Sequence, residues 1–215
     1  MKRQTEMMML IALVLAGLNM RPLMTSVSPL LGQLRQTIGL TPLAASLLPA
    51  IPMMMMGAIA LLSAPLMQRI AVRKLLTGGL MLLSLATFSR LFITQGSLLV
   101  FSTIPGGLGI GVVQMAMPGL IRQRFGERSA AITGLWAGAL MGGGGLAAAL
   151  TPWLSAQMGW QGALSSWALP TLCAVLLWLF IPTAAPEKST QRAIPALWRK
   201  TRAWTLALSF GLVNG

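Results

Sequence analysis

The sequence has no histidine and no tyrosine, a single cysteine and only three acidic residues among 215. Each absence removes a chemistry. Without histidine there is no imidazole base near neutral pH and the commonest metal ligand is missing. The acids Glu6, Glu127 and Glu187 each lie close to a basic cluster and far apart in sequence, so no paired carboxylates or nucleophile–base pair can be assembled from them. Cys173 lies alone in an apolar run, which excludes a disulfide framework and a thiolate metal site. No Gly-Lys-Ser or Gly-Lys-Thr occurs, so a nucleotide-driven pump has no phosphate loop. These gaps predict neither an enzyme nor a protein with a resident metal or cofactor.

Charge is scarce as well. Only 9% of residues are charged and 55% are hydrophobic, where soluble domains carry about 25% charged residues. The composition is that of an all-α integral membrane protein. The net charge of +13 comes from short basic clusters between apolar runs, not from a basic stripe interleaved with stacking aromatics. It therefore indicates no nucleic acid but a lipid bilayer with anionic headgroups.

Six apolar runs reach the length of about 20 residues that a bilayer core requires. The first extends from Met7 to about Leu34 and is too long for a signal-peptide core. A loop is expected over residues 33–41. The second run covers 42–67 and holds Pro49, Pro52 and the four methionines Met53 to Met56; these predict either a flexible substrate-contacting surface or lipid-facing packing. After a basic turn at 68–74, the third run covers 75–93 and the fourth 98–121. A second basic turn carries Arg122, Arg124 and Arg128. The fifth run covers 129–154, with Trp153 and Trp160 flanking the next turn as membrane-interface residues. The sixth covers 163–181. The expected organisation is a six-helix bundle over 1–182, a cytoplasmic basic linker over 183–202 and the start of a truncated seventh helix over 203–215.

Alternating spans place Lys2, Arg3, Arg69, Arg73, Lys74, Arg122, Arg124, Arg128, Lys188, Arg192, Arg199, Lys200 and Arg202 on one side. Only Arg35 and, at the border, Arg90 fall on the other. By the positive-inside rule the N-terminus and the basic linker are expected in the cytoplasm.

The stretch Leu18-Asn19-Met20-Arg21-Pro22-Leu23-Met24-Thr25-Ser26-Val27-Ser28-Pro29 interrupts the first run with a cation. A central arginine costs roughly 2.5–3.5 kcal/mol on insertion scales and so faces a partner or an aqueous cavity. Pro22 and Pro29 each remove a helix hydrogen bond beside it, which is tolerated at membrane depth only where protein or water meets the freed carbonyls. Thr25 and Ser28 share a helical face with Arg21; Asn19 lies on another face, suited to a neighbouring helix. Arg21, Thr25 and Gln114 are the candidate substrate contacts, with Arg90 and Trp136 as further candidates. Arg90 could instead snorkel to the interface, Gln114 could join two helices, and Trp136 could simply pack. Fixed cations without carboxylates suit an anionic or strongly dipolar small molecule. Gly134, Gly138 and Gly142, followed by Gly143, Gly144 and Gly145, form a small-residue stripe that admits close approach of another helix and a flexible point for rocking.

Six spans, a basic linker and an incipient seventh span resemble the N-terminal half of a major facilitator superfamily transporter. The turn at 64–74 resembles that superfamily's Gly-x-Leu-x-Asp-Arg-x-Gly-Arg-Arg signature: Arg69, Arg73 and Lys74 match, while Gln68 replaces the acid and Ala71 the glycine. The glycines of the fifth run, Gly138 and Gly142 among them, resemble its fifth-helix motif without the customary proline. Both are conformational motifs in that superfamily. More specifically, the 18–27 stretch, Gly134-Leu135-Trp136, the run from Ala139 to Leu146, Thr151-Pro152-Trp153-Leu154 and Trp167-Ala168-Leu169-Pro170 are similar to the cyanate permease family. So are Arg202-Ala203-Trp204-Thr205-Leu206 and Phe210-Gly211-Leu212.

The resemblance implies a multi-pass bacterial inner-membrane transporter of cyanate or a similar small anion, working by alternating access around a midplane site. Two other readings stay open: a proton-coupled exporter of small, nitroimidazole-like compounds, and a transport-inactive membrane fragment. The resemblance also implies about twelve spans in a complete transporter, so a missing C-terminal half or partner chain is expected.

Overall fold

The computed structural model describes residues 2–181, with side chains from Glu6 onward. The expected linker at 183–202 and seventh-helix start at 203–215 lie outside the described residues.

The first traverse of the bundle is a broken helix. α1 (Lys2–Met20) stops at Arg21, α2 (Pro22–Thr25) adds one turn, a 3-10 turn follows at Ser28–Leu30, and α3 (Leu31–Ile38) completes it. The breaks sit where the prolines withdraw donors. Pro22 has no N–H for the Leu18 carbonyl, and Pro29 none for Thr25. Gly39, at φ 61°, closes α3 in the left-handed conformation that glycine adopts without penalty. Thr41 then caps α4 (Pro42–Leu61): its hydroxyl accepts from the Ala44 N–H at 3.2 Å. α5 (Ser63–Arg69) continues this second traverse. The third is α6 (Val72–Phe88) with a 3-10 turn at Ser89–Phe92, and the fourth is α7 (Gly96–Phe125). Gly126, at φ 49°, ends α7. α8 (Ser129–Ser166) is broken at Gly159, whose φ of 76° and ψ of 166° no helix contains, and α9 (Ala168–Phe180) follows a bend at Trp167.

Core membership shows that these traverses alternate. Leu40, Leu48, Ile93, Leu99, Trp160 and Leu164 share one buried cluster, so the turns at 39–41, 93–95 and 159 meet at one end. The Gln161 side-chain amide donates to the Ile93 carbonyl there at 2.8 Å. Met9, Leu75, Phe125, Ile132 and Ile181 belong to the other, larger cluster. At that end Arg128 pairs with Glu6 at 2.9 Å, and Arg73 donates to the Leu179 carbonyl at the close of α9, where a helix C-terminus favours a cation. Among the described residues the chain is therefore a six-traverse helical bundle with no strand.

α7 is its axis. A Cβ added to Gly107 would stand 2.6 Å from the Pro52 Cα of α4, and one added to Gly109 would stand 2.5 Å from the Gly79 carbonyl oxygen of α6. Bare backbone on two faces lets α7 touch two helices at once. Outward, Phe88, Phe92, Phe101, Leu169 and Phe180 are exposed. Such apolar area suits lipid rather than water.

Helix ends differ from the sequence reading in a consistent direction. Residues 33–38 are helical rather than loop, Arg73 and Lys74 sit in the first turn of α6, and Arg122 and Arg124 in the last turn of α7. The reading ended helices where apolar residues ended. At about 1.5 Å per residue the 30-residue α7 runs about 45 Å, past a hydrocarbon core of about 30 Å. Trp153 is 63% exposed, but Trp160 is buried in the turn-end core instead of lying at an interface.

Candidate functional site

The break in the first traverse opens a pocket. Met20, Arg21 and Met24 line one wall, Met53 and Met56 of α4 a second, and Ile110 and Gln114 of α7 a third. Its volume is about 50 Å³. At roughly 10–15 Å³ per water, that holds about three to five waters, or one triatomic ion in their place. A larger hollow of about 290 Å³ runs along Leu10, Ile11, Val14, Leu15 and Leu18 of α1. It has no charged or hydrogen-bonding side chain and cannot orient an ion.

Arg21 and Gln114, more than ninety residues apart, are brought to this one pocket. Both are half-buried, and neither side chain has a hydrogen-bond or ionic partner among the described residues. Arg21 is held by its backbone and stem instead. Its carbonyl accepts from the N–H groups of Met24 at 3.0 Å and Thr25 at 3.1 Å, and from the Thr25 hydroxyl at 3.1 Å. Its Cβ packs where Gly144 of α8 leaves room: a Cβ on that glycine would lie 3.3 Å away. Next to it, a Cβ on Gly143 would overlap the Leu18 carbonyl, one of those that Pro22 set free. The broken helix and α8 thus pack through bare backbone, and the guanidinium is left to the pocket.

Thr25 stands beside the pocket, with its hydroxyl donated to Arg21 and its methyl toward Gly144. Ser28 is exposed. Asn19 joins a neighbouring helix, as its face predicts: it accepts from the Thr171 hydroxyl at 3.3 Å and donates to the Leu15 carbonyl at 2.6 Å.

Arg90 lies elsewhere. It is 0% exposed, above the pocket toward the turn-end core. Its Nη1 donates to the Leu23 carbonyl at 2.9 Å and its Nε to the Ser102 hydroxyl at 3.4 Å; Nη2 has no partner. It neither lines the pocket nor snorkels. Trp136 is packed on Gly17 of α1, where a Cβ would lie 3.1 Å from its Cδ1, and its buried Nε1 has no partner.

The glycine stripe divides. Gly134 and Gly138 meet nothing within 4 Å, Gly142 only the tip of Leu18, and the close approach belongs to Gly143 and Gly144. Arg69 and Lys74 are exposed at the basic end beside Arg73. Missed by sequence reasoning were Met20, Met24 and Ile110 as pocket walls; of the Met53–Met56 run, Met53 and Met56 reach the pocket because they stand one turn apart. Among the described residues no group of histidine, cysteine or carboxylate side chains could hold a metal.

Comparison with known proteins agrees with this architecture. Residues 8–214 match the family model of the Major Facilitator Superfamily. Over 211 residues the chain is 44% identical to the cyanate transport protein CynX of Escherichia coli (strain K12), covering 96% of this chain and 55% of that protein. It is 27% identical to a 2-nitroimidazole transporter of the same organism, covering 97% of this chain and 54% of that protein. The chain thus spans about half the length of these relatives. Among solved structures, the xylose transporter XylE from E. coli superposes with a TM-score of 0.71 at 18% identity, over 94% of this chain and 54% of that one.

Proposed function

The chain belongs to the major facilitator superfamily, and from that premise we propose that it forms the substrate-binding N-terminal half of a transporter for a small anion, cyanate first among candidates. The observation that carries this reading is the pocket at the helix break. It holds an unpartnered guanidinium and an unpartnered carboxamide, with no carboxylate to neutralise the cation. An arginine kept at membrane depth without a counter-ion is a vacancy for one. The relative at 44% identity is a cyanate transport protein, which favours cyanate.

In this reading Arg21 attracts the anion and Gln114 orients it by donating its amide N–H. Thr25 fixes the Arg21 backbone. Arg73 and its basic neighbours mark the cytoplasmic end, in line with the positive-inside rule. Alternating access requires a second six-helix body to close over the pocket, supplied by a C-terminal half or by a partner chain. Proton-coupled export of neutral compounds is less favoured, since the acids of the described residues, Glu6 and Glu127, lie at the basic end and Glu6 is paired with Arg128.

The test is flux in proteoliposomes carrying this chain together with the C-terminal half of the cyanate relative. Saturable uptake of radiolabelled cyanate that Arg21→Ala abolishes is the expected outcome. Undiminished uptake in Arg21→Ala would remove Arg21 from the site. Binding without flux by the chain alone is expected of half a transporter.

A further inference from the structure

We propose that the pocket selects its anion by slender shape and modest hydration, and so accepts thiocyanate and azide alongside cyanate while excluding bicarbonate and sulfate. The inference rests on the Arg21 pocket being the substrate site and goes beyond it to the class of ion admitted.

The selectivity follows from what surrounds the two donors. Met20, Met24, Met53 and Met56 reach the pocket from two different traverses. A thioether is a weak acceptor with no N–H or O–H, so it contributes nothing toward replacing an anion's water shell. Only the guanidinium of Arg21 and the amide of Gln114 can do so. An anion that holds its water tightly must give up more hydrogen bonds than these two groups restore, and an uncompensated loss of that kind is costly. An anion that holds water loosely gives up little. It also gains from contact with polarisable sulfur and from a guanidinium that is itself weakly hydrated.

Shape acts in the same direction. The accessible volume of about 50 Å³ suits three atoms in a row better than a branched oxyanion such as bicarbonate or sulfate with its retained waters. The methionine walls are not equivalent. Met20 is buried at 1% exposure and forms the floor, whereas Met53 is 58% exposed at the mouth. Met24 and Met56 stand half-buried between them. Both also pack against the larger core, so a variant must keep their volume; they set how dry the pocket is, and they are the positions to vary.

The experiment is equilibrium dialysis of the purified full chain in lipid nanodiscs against radiolabelled cyanate and, separately, radiolabelled thiocyanate, at constant ionic strength. Thiocyanate and azide are expected to compete within about tenfold of cyanate, and bicarbonate and sulfate at least about a hundredfold more weakly, because branching excludes both and desolvation adds to the cost of sulfate. The double variant Met24→Gln with Met56→Gln supplies new amide donors and is expected to narrow the sulfate-to-thiocyanate gap at least about fivefold. The apolar control Met24→Leu with Met56→Leu is expected to keep the gap, and folds even where the glutamine pair does not. Arg21-dependent thiocyanate binding without cyanate binding would overturn the inference, which admits both ions, and leave an anion site at Arg21 that does not serve cyanate. Cyanate binding with bicarbonate competing as an equal would overturn the inference and leave the anion site standing. No binding of any of these anions would overturn both.

Discussion

Arg21 and Arg90 are cations set into the same bundle, and the protein treats them in opposite ways. Arg21 keeps its stem packed beside Gly144 and its guanidinium unpartnered in a pocket. Arg90 is wholly enclosed, with two of its three nitrogens donating to Leu23 and Ser102. Both depend on the same broken helix. Where the first traverse loses its regular bonding, Arg90 takes the Leu23 carbonyl, while Arg21 sits on the bend itself. One arginine repairs the break and the other uses it. A buried charge held by neutral acceptors serves structure, because leaving its carbonyl partner bare costs about 1–3 kcal/mol. A half-buried charge with nothing to hold has free donors for a ligand.

Substitutions can separate the two roles. Arg90→Ala is expected to have the largest effect, a loss of about 3 kcal/mol in unfolding free energy in detergent, from a bare Leu23 carbonyl plus a cavity. A stable Arg90→Ala protein would break the comparison. Arg21→Ala is expected to leave unfolding unchanged within about 0.5 kcal/mol and to weaken anion binding by about thirty- to a hundredfold, the worth of a charge-assisted hydrogen bond. Binding by dialysis and unfolding on the same sample test both halves of that statement. Gln114→Leu is expected to weaken binding by about fivefold, near 1 kcal/mol, since a neutral donor is lost. Thr171→Val, outside the pocket lining, is expected to cost about 0.6 kcal/mol of stability and nothing in binding, typical of a hydrogen bond between membrane helices. A binding loss there would mean that Asn19 transmits to Arg21 and that the two regions are not independent.

Much of the site was legible before the structure because its chemistry is expensive. Arg21 and Gln114 stand out among apolar neighbours, and a cation followed by Pro22 and Pro29 marks a place where the helix can break. Arg90 was visible for the same reason, but its sequence environment does not distinguish a ligand contact from a clasp. That depends on Leu23 and Ser102, 67 and 12 residues away. The glycines show the same limit. Spacing drew attention to Gly134, Gly138 and Gly142, whereas contact falls on Gly143 and Gly144, because the freed Leu18 carbonyl fixes which face of α8 turns toward α1. Pocket walls such as Met24 and Ile110 carried no signal of their own, since an apolar residue in an apolar run looks the same on every face.

The sequence by itself determined the class of protein: apolar run lengths, scarce acids and clustered basic residues admit a helical membrane bundle and little else. It also marked where the first helix can fail, since proline cannot donate at positions 22 and 29, although Pro49, Pro52, Pro105, Pro118 and Pro152 lie inside continuous helices. Only the tertiary structure decided which of the two arginines, Arg21 or Arg90, was left unpartnered. Partner choice depends on distances between helices that local periodicity does not encode, and here those distances are set by the bare backbone of α7 and α8.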